Sequence, residues 1–155
     1  MEIHQVKVLQ YRPRTSDLLI VAGVGWKEGV VGSATLSAHL RSPPGRALKT
    51  AEPVTVHNLP EQGEYVYSDV LKEHRILSLL NVPILMDGAA WGVLEVDSTR
   101  SRDFAEDTVD FLTAAAALLG AVLRPHAGQD HEARFAAAAA EAQKREVLCA
   151  KCSIV

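Results

Sequence analysis

LSLLNVPILMDGAAWGVLEVDST, residues 77–99, decides how this chain folds. Two apolar runs, 77–85 and 90–99, flank the turn MDGA. An Asp-Gly pair between such runs is the strongest short hairpin signal, because both central residues of the tight turn need positive φ. The stretch therefore reads as two neighbouring antiparallel strands. Upstream, QVKVLQY (5–11) and LLIVAGV (18–24) are rich in β-branched residues and are separated by the turn-prone RPRTSD, so a second hairpin opens the chain. VTVHNL (54–59) is a further strand candidate. SPPGRALKTAEP (42–53) is framed by Ser and Pro at its entry and Pro53 at its exit, which predicts a short helix. SDVLKEHRI (68–76) starts on the N-cap candidate Ser68 and reads as another. Downstream, residues 103–123 place Phe104, Val109, Leu112, Ala116, Leu119 and Leu123 mostly at three- and four-residue steps, a long amphipathic helix closed by Pro125. Sequential hairpins with helices on the connections predict an α+β fold with a central antiparallel sheet of five to six strands, rather than a doubly wound parallel one.

Composition narrows the function. The 155 residues are 48% hydrophobic and carry 16 basic against 19 acidic side chains, a net charge of −3. That charge supplies no basic field for nucleic acid, and 5% aromatic residues give few stacking platforms. No apolar run approaches the ~20 residues that span a bilayer, and MEIHQVKV has no signal-peptide core, so a cytoplasmic protein is expected. Length and pattern predict a domain over 1–124 and a helical tail over 125–155, with 149–155 disordered. The tail rests on HEARFAAAAAEAQKREVL, a run of strong helix formers.

The stretches VAGVGWKEGVVG, SPPGRALKTAEPV and LKEHRILSLLNVPILMDGAAWGVLEVDSTRSRDFAEDTVDFLTAAAALLGAVL together resemble a GAF domain of the kind found in bacterial sensor histidine kinases, from about Val6 to Leu123. The resemblance implies a GAF/PAS-like sheet with helices on both sides. It implies a small-molecule-sensing or regulatory module of a signal-transduction protein, non-catalytic by itself and paired as a homodimer through terminal helices. The alternative is a purely structural dimerisation module with an empty or vestigial pocket. In one kinase family of two-component systems the domain leads through a helix into a histidine box, and QKREVL (143–148) is similar to that approach. CAKCSIV, which follows, has neither the phosphoacceptor histidine nor the asparagines, so the reading expects a truncated or frame-shifted histidine kinase fragment.

The resemblance also places a ligand between the sheet and the helices and loops of roughly residues 36–80. His39, His57, Tyr65, Tyr67, His74 and Asn81 are the polar groups able to line that space. His57 follows Val54 and Val56 on a β-period and has the chemistry of a haem or metal ligand, though a solvent-facing histidine on an edge strand is the plainer reading. A closed cavity packed by Leu40, Leu48, Leu71 and Leu79 favours the structural alternative. Trp26 and Trp91 flank glycines and are expected to pack across strand ends. GAF-fold methionine sulfoxide reductases use cysteines inside the domain, as many bilin-binding relatives do, whereas Cys149 and Cys152 are the first cysteines here. A reductase of that type is not expected on that ground. No enzyme is expected, because the sequence offers neither a kinase domain nor a nucleophile, base and orienting group at workable spacing, and the cofactor stays unknown. Cys149 and Cys152 have the spacing of half a zinc site, but zinc needs four ligands and His126 and His131 lie far upstream, so no metal is expected. The terminal CSIV only formally matches a prenylation box.

Overall fold

The computed structural model describes residues 5–124, of which those up to Gly120 belong to the first of two compact units. The tail helix, QKREVL and both cysteines lie outside the described residues. The elements are β1 (Gln5–Arg12), β2 (Asp17–Val24), β3 (Thr35–Ser37), α1 (Pro43–Thr50), β4 (Val54–Val56), α2 (Asp69–Glu73), β5 (Ser78–Met86) and β6 (Ala89–Ser98). A 3-10 turn, Leu59–Glu61, follows β4, and a long helix, α3, occupies 106–124.

The strands form one six-stranded sheet in the order β3-β2-β1-β6-β5-β4, and every neighbouring pair is antiparallel. The two expected hairpins, β1 with β2 and β5 with β6, are brought together by pairing of β1 with β6. Asp87 (φ 51°) and Gly88 (φ 80°) supply the positive-φ pair that the β5–β6 turn needs.

Because side chains alternate across a strand, the register sorts them onto two faces. Leu9, Val93, Leu79 and Val56 share the inner face through the pairs Leu9↔Val93 and Val56↔Leu79. There they join Ala47 and Leu48 of α1, Leu71 of α2, Leu59 and Tyr65 in one apolar cluster. The outer face carries Leu80, Val82, Ile84, Leu94 and Val96, all buried, as are Leu112 and Ala116 of α3. Gly120 of α3 lies against β5: a Cβ there would stand 2.3 Å from the Leu85 carbonyl oxygen and 3.7 Å from Ile84. Helices thus cover both faces.

Three expectations shift. Strand β3 follows a glycine-spaced stretch to which the sequence pattern assigned no element; its three residues pair with β2 through Asp17↔Ser37, Leu18↔Leu36 and Leu19↔Thr35. The strand foreseen over 54–59 ends at Val56, since Pro60 commits the chain to a 3-10 turn. The helix foreseen over 68–76 contracts to Asp69–Glu73, and Arg75 leaves helical space at φ 55°. Ser68 occupies its N-cap position, but the hydroxyl makes no capping bond.

Candidate functional site

Two features stand on the inner side. The first is a cavity of about 370 Å³ lined by Leu36 and Ser37 of β3, His39, Arg41, Ser42 and Pro43 entering α1, and Val66, Ser68 and Leu71 around the start of α2. Its position follows from the backbone of 38–45. Ser42 N–H donates to the His39 carbonyl at 2.9 Å, and a Cβ on Gly45 would stand 2.2 Å from that oxygen, so only glycine lets the loop lie this close to the helix. The walls are aliphatic. Ser68 Oγ is buried with no hydrogen-bond partner, and Arg41 and His39 stand exposed at the edge. That lining suits a small molecule with an apolar body and a polar or anionic end.

The second feature is a polar cluster inside the sheet's covered face. The pairs Lys7↔Glu95 and Gln5↔Asp97 put Lys7, Glu95 and Asp97 on the same side as Leu9 and Val93. All three are at most 1% exposed. Lys7 Nζ donates to Glu95 Oε1 and, at 2.8 Å, to Asp97 Oδ2. The Trp26 ring covers the ammonium, its centroid 4.3 Å from Nζ, while Trp26 Nε1 donates to the Val6 carbonyl at 3.0 Å. Burial pulls the Lys7 pKa down, but the charges of Asp97 and Glu95 outweigh it and hold the ammonium above its ordinary range. For Glu95 the balance is reversed. Burial first, then the Asp97 charge, push its carboxyl well above the usual glutamate value against the pull of Lys7. Glu95 Oε2 and Asp97 Oδ1 accept no hydrogen bond, and the raised Glu95 pKa favours a proton shared between the two carboxyls.

The six residues expected at a site separate in the structure. His39 lines the cavity. Asn81 is 0% exposed, pairs with Glu95 across β5 and β6, and has neither amide atom partnered. His74 sits beside the polar cluster, its ring 4.7 Å from Trp26. His74 Nε2 accepts from the Lys27 amide at 3.1 Å, which leaves the proton on Nδ1 to donate to the Val70 carbonyl at 2.7 Å. Tyr65 is buried in the apolar cluster under the Arg46 guanidinium, and burial raises its pKa. The Tyr67 hydroxyl donates to the Ile76 carbonyl at 2.6 Å, and burial raises its pKa as well. His57 stands exposed just beyond edge strand β4, its Nδ1 3.0 Å from Asp103 Oδ1. Trp26 packs on Gly23, where a Cβ would approach the ring to 2.9 Å. Among the described residues no group of three or more His, Cys, Asp or Glu side chains is placed to hold a metal ion, and no helix is long and apolar enough to cross a membrane.

Sequence reasoning missed Lys7, Glu95 and Asp97. In QVKVLQ and VLEVDS these polar residues alternate with Val and Leu, the pattern of a strand with one wet face. The available signal was the register. Glu95 and Asp97 share parity with Val93, so a covered Val93 face carries both acids inside.

A six-stranded antiparallel sheet with helices on both faces and a cavity on its inner side defines a class of small α+β domains. The chain belongs to the GAF family: the sequence profile of the GAF domain matches residues 5–123. GAF domains are regulatory and sensing modules of signalling proteins. The chain is 36% identical over 98 residues to a Nif-specific regulatory protein of Azospirillum brasilense, a match that takes in 59% of this chain and 16% of that protein. Its fold resembles the GAF domain of a phosphoenolpyruvate-protein phosphotransferase from Coxiella burnetii, with TM-score 0.73, 22% identity, and 84% of this chain and 76% of that one covered. It also resembles a type II free methionine-R-sulfoxide reductase from Thermoplasma acidophilum, with TM-score 0.62, 18% identity, and 78% and 79% covered. At these identities the two structures speak for the fold alone.

Proposed function

We propose that this chain is the sensory module of a cytoplasmic signal-transduction protein and binds a small molecule in the cavity between β3, α1 and α2. The observation that carries this reading is the cavity itself, about 370 Å³ with aliphatic walls and polar groups at its edge. His39, Arg41 and Ser68 are the residues assigned to the ligand's polar end. Leu48, Leu71 and Leu79 are buried as the structural alternative requires, but Leu40 is 52% exposed and the cavity opens beside Leu71. The resemblance of QKREVL to the approach to a histidine box supports a sensor histidine kinase as the output class.

In this reading the action is regulatory: occupancy changes the packing of α1 and α2 on the sheet. Native mass spectrometry of protein purified from its own host tests the reading. Wild type carries a defined mass increment, and Val66→Trp, which fills the cavity from an exposed position, loses it. Protein without an increment, whose unfolding temperature is also unmoved by host metabolite extract, would overturn the proposal.

A further inference from the structure

Lys7 is fully buried, and a buried ammonium is costly unless its charge and its protons are met. Its surroundings meet them on three sides: Glu95 Oε1, Asp97 Oδ2 and the face of Trp26. Carboxylates combined with an aromatic face are the groups that recognise free amines. Lys7 does not use all that is there. Asn81, the cross-strand partner of Glu95 on the same face, is 0% exposed and has a carbonyl oxygen and an amide nitrogen without partners. One ammonium already bridges Glu95 Oε1 and Asp97 Oδ2, so the geometry of the cluster is that of a site for an ammonium group.

Trp26 lies over the Lys7 ammonium, and the His74 ring packs beside Trp26. Trp26 is half-buried and rides on the loop 25–34, in which Gly25, Gly29 and Gly32 hold φ of 85°, 82° and 88°. The loop is held over α2 by the Lys27 amide on His74 and, at 3.4 Å, by Lys27 Nζ on the Glu73 carbonyl.

We propose that Glu95, Asp97 and Trp26, with Asn81 beside them, form a binding site for a primary ammonium group, filled in the resting chain by Lys7 and open to a small primary amine that displaces it. The exchange conserves charge and hydrogen bonds, ammonium for ammonium, while Asn81 gains a partner. It also frees the Lys7 side chain and uncovers one face of Trp26, so the amine is linked to the loop over α2. The site is separate from the cavity between β3, α1 and α2 and does not depend on that cavity being occupied.

Lys7→Ala removes the built-in occupant, and n-propylammonium is the probe. Calorimetric titration and the thermal midpoint should show saturable binding to Lys7→Ala, roughly tenfold or more tighter than to wild type, which first has to evict Lys7. n-Propanol and sodium chloride should give no such effect, and the triple variant Lys7→Ala, Glu95→Gln, Asp97→Asn should not respond to the amine. Should Lys7→Ala not fold alone, refolding from urea with and without n-propylammonium gives the readout, and recovery with the amine but not with n-propanol supports the site. Absence of saturable binding or recovery, an equal effect of n-propanol, wild-type affinity equal to that of Lys7→Ala, or a triple variant that still responds would each overturn it.

Discussion

Glu95 concentrates the electrostatics of the inner face in one side chain. Burial and the neighbouring Asp97 keep it protonated at pH values where an unfolded glutamate, with a pKa of about 4.3, has lost its proton. The folded state therefore binds more protons than the unfolded state from that pH up to the raised folded pKa. Stability from this group is fully present below the unfolded pKa and is lost as pH rises through the window. Glu95→Gln has no proton to lose, so the stability of the variant relative to wild type should climb with pH across the window. Urea midpoints of both proteins from about pH 4 to pH 8 measure this, and parallel curves would show that Glu95 is ionised in the fold. Arg12 and Asp17 contribute in the opposite sense. The guanidinium donates Nε to Oδ1 and Nη2 to Oδ2, each at 2.7 Å, which lowers the Asp17 pKa, so its contribution fades as pH falls. Comparing wild type with the single variant cancels that background.

At the scale of elements, the seating of α3 on the outer face depends on a glycine. A Cβ at position 120 would meet the Leu85 carbonyl oxygen at 2.3 Å, and a backbone oxygen in a paired strand has little room to yield. Gly120→Ala should therefore cost on the order of 1–3 kcal/mol by overpacking, despite alanine's higher helix propensity. Ala117→Ser, on the exposed side of the same helix, should stay within about 0.5 kcal/mol. Chemical unfolding of the two variants decides; a neutral Gly120→Ala would mean that α3 rides further from β5. The opening hairpin has its own irregularity, a register shift between Val8 and Leu9 opposite β2.

For the whole molecule, the open question is what meets the outer side of α3. Phe111 is 67% and Leu118 70% exposed, seven residues apart on one helical face with half-buried Ala115 between them. One heptad of apolar spacing with a small central residue suits a second copy of the same helix, and a two-fold pairing buries the stripe against itself. This supports the homodimer proposed for the domain. Sedimentation at micromolar concentration should show a dimer for the full chain and a monomer for Leu118→Glu, with the unfolding temperature of the domain little changed. A wild-type monomer at high micromolar concentration would remove the proposal.

The sequence by itself determined the elements that rest on local chemistry. The Asp87-Gly88 turn, the β-branched runs of β1, β2, β5 and β6, the Ser-Pro-Pro entry to α1 and the period of α3 each specify a local structure, and together they implied the antiparallel α+β fold. Of the two readings of His57, the solvent-facing one matches its exposure beyond edge strand β4. Tertiary structure alone decided β3, because three residues among glycines become a strand only when Asp17–Leu19 offer a partner. It also decided the polar cluster. Alternation shows which side chains share a face, whereas burial of that face depends on Trp26 and His74, brought over Lys7 and Glu95 by loops distant in sequence. Local patterns record the period of a strand; what covers each face is set by long-range packing, and that packing turned a lysine and two acids from an apparent wet surface into the most buried ionisable side chains among the described residues.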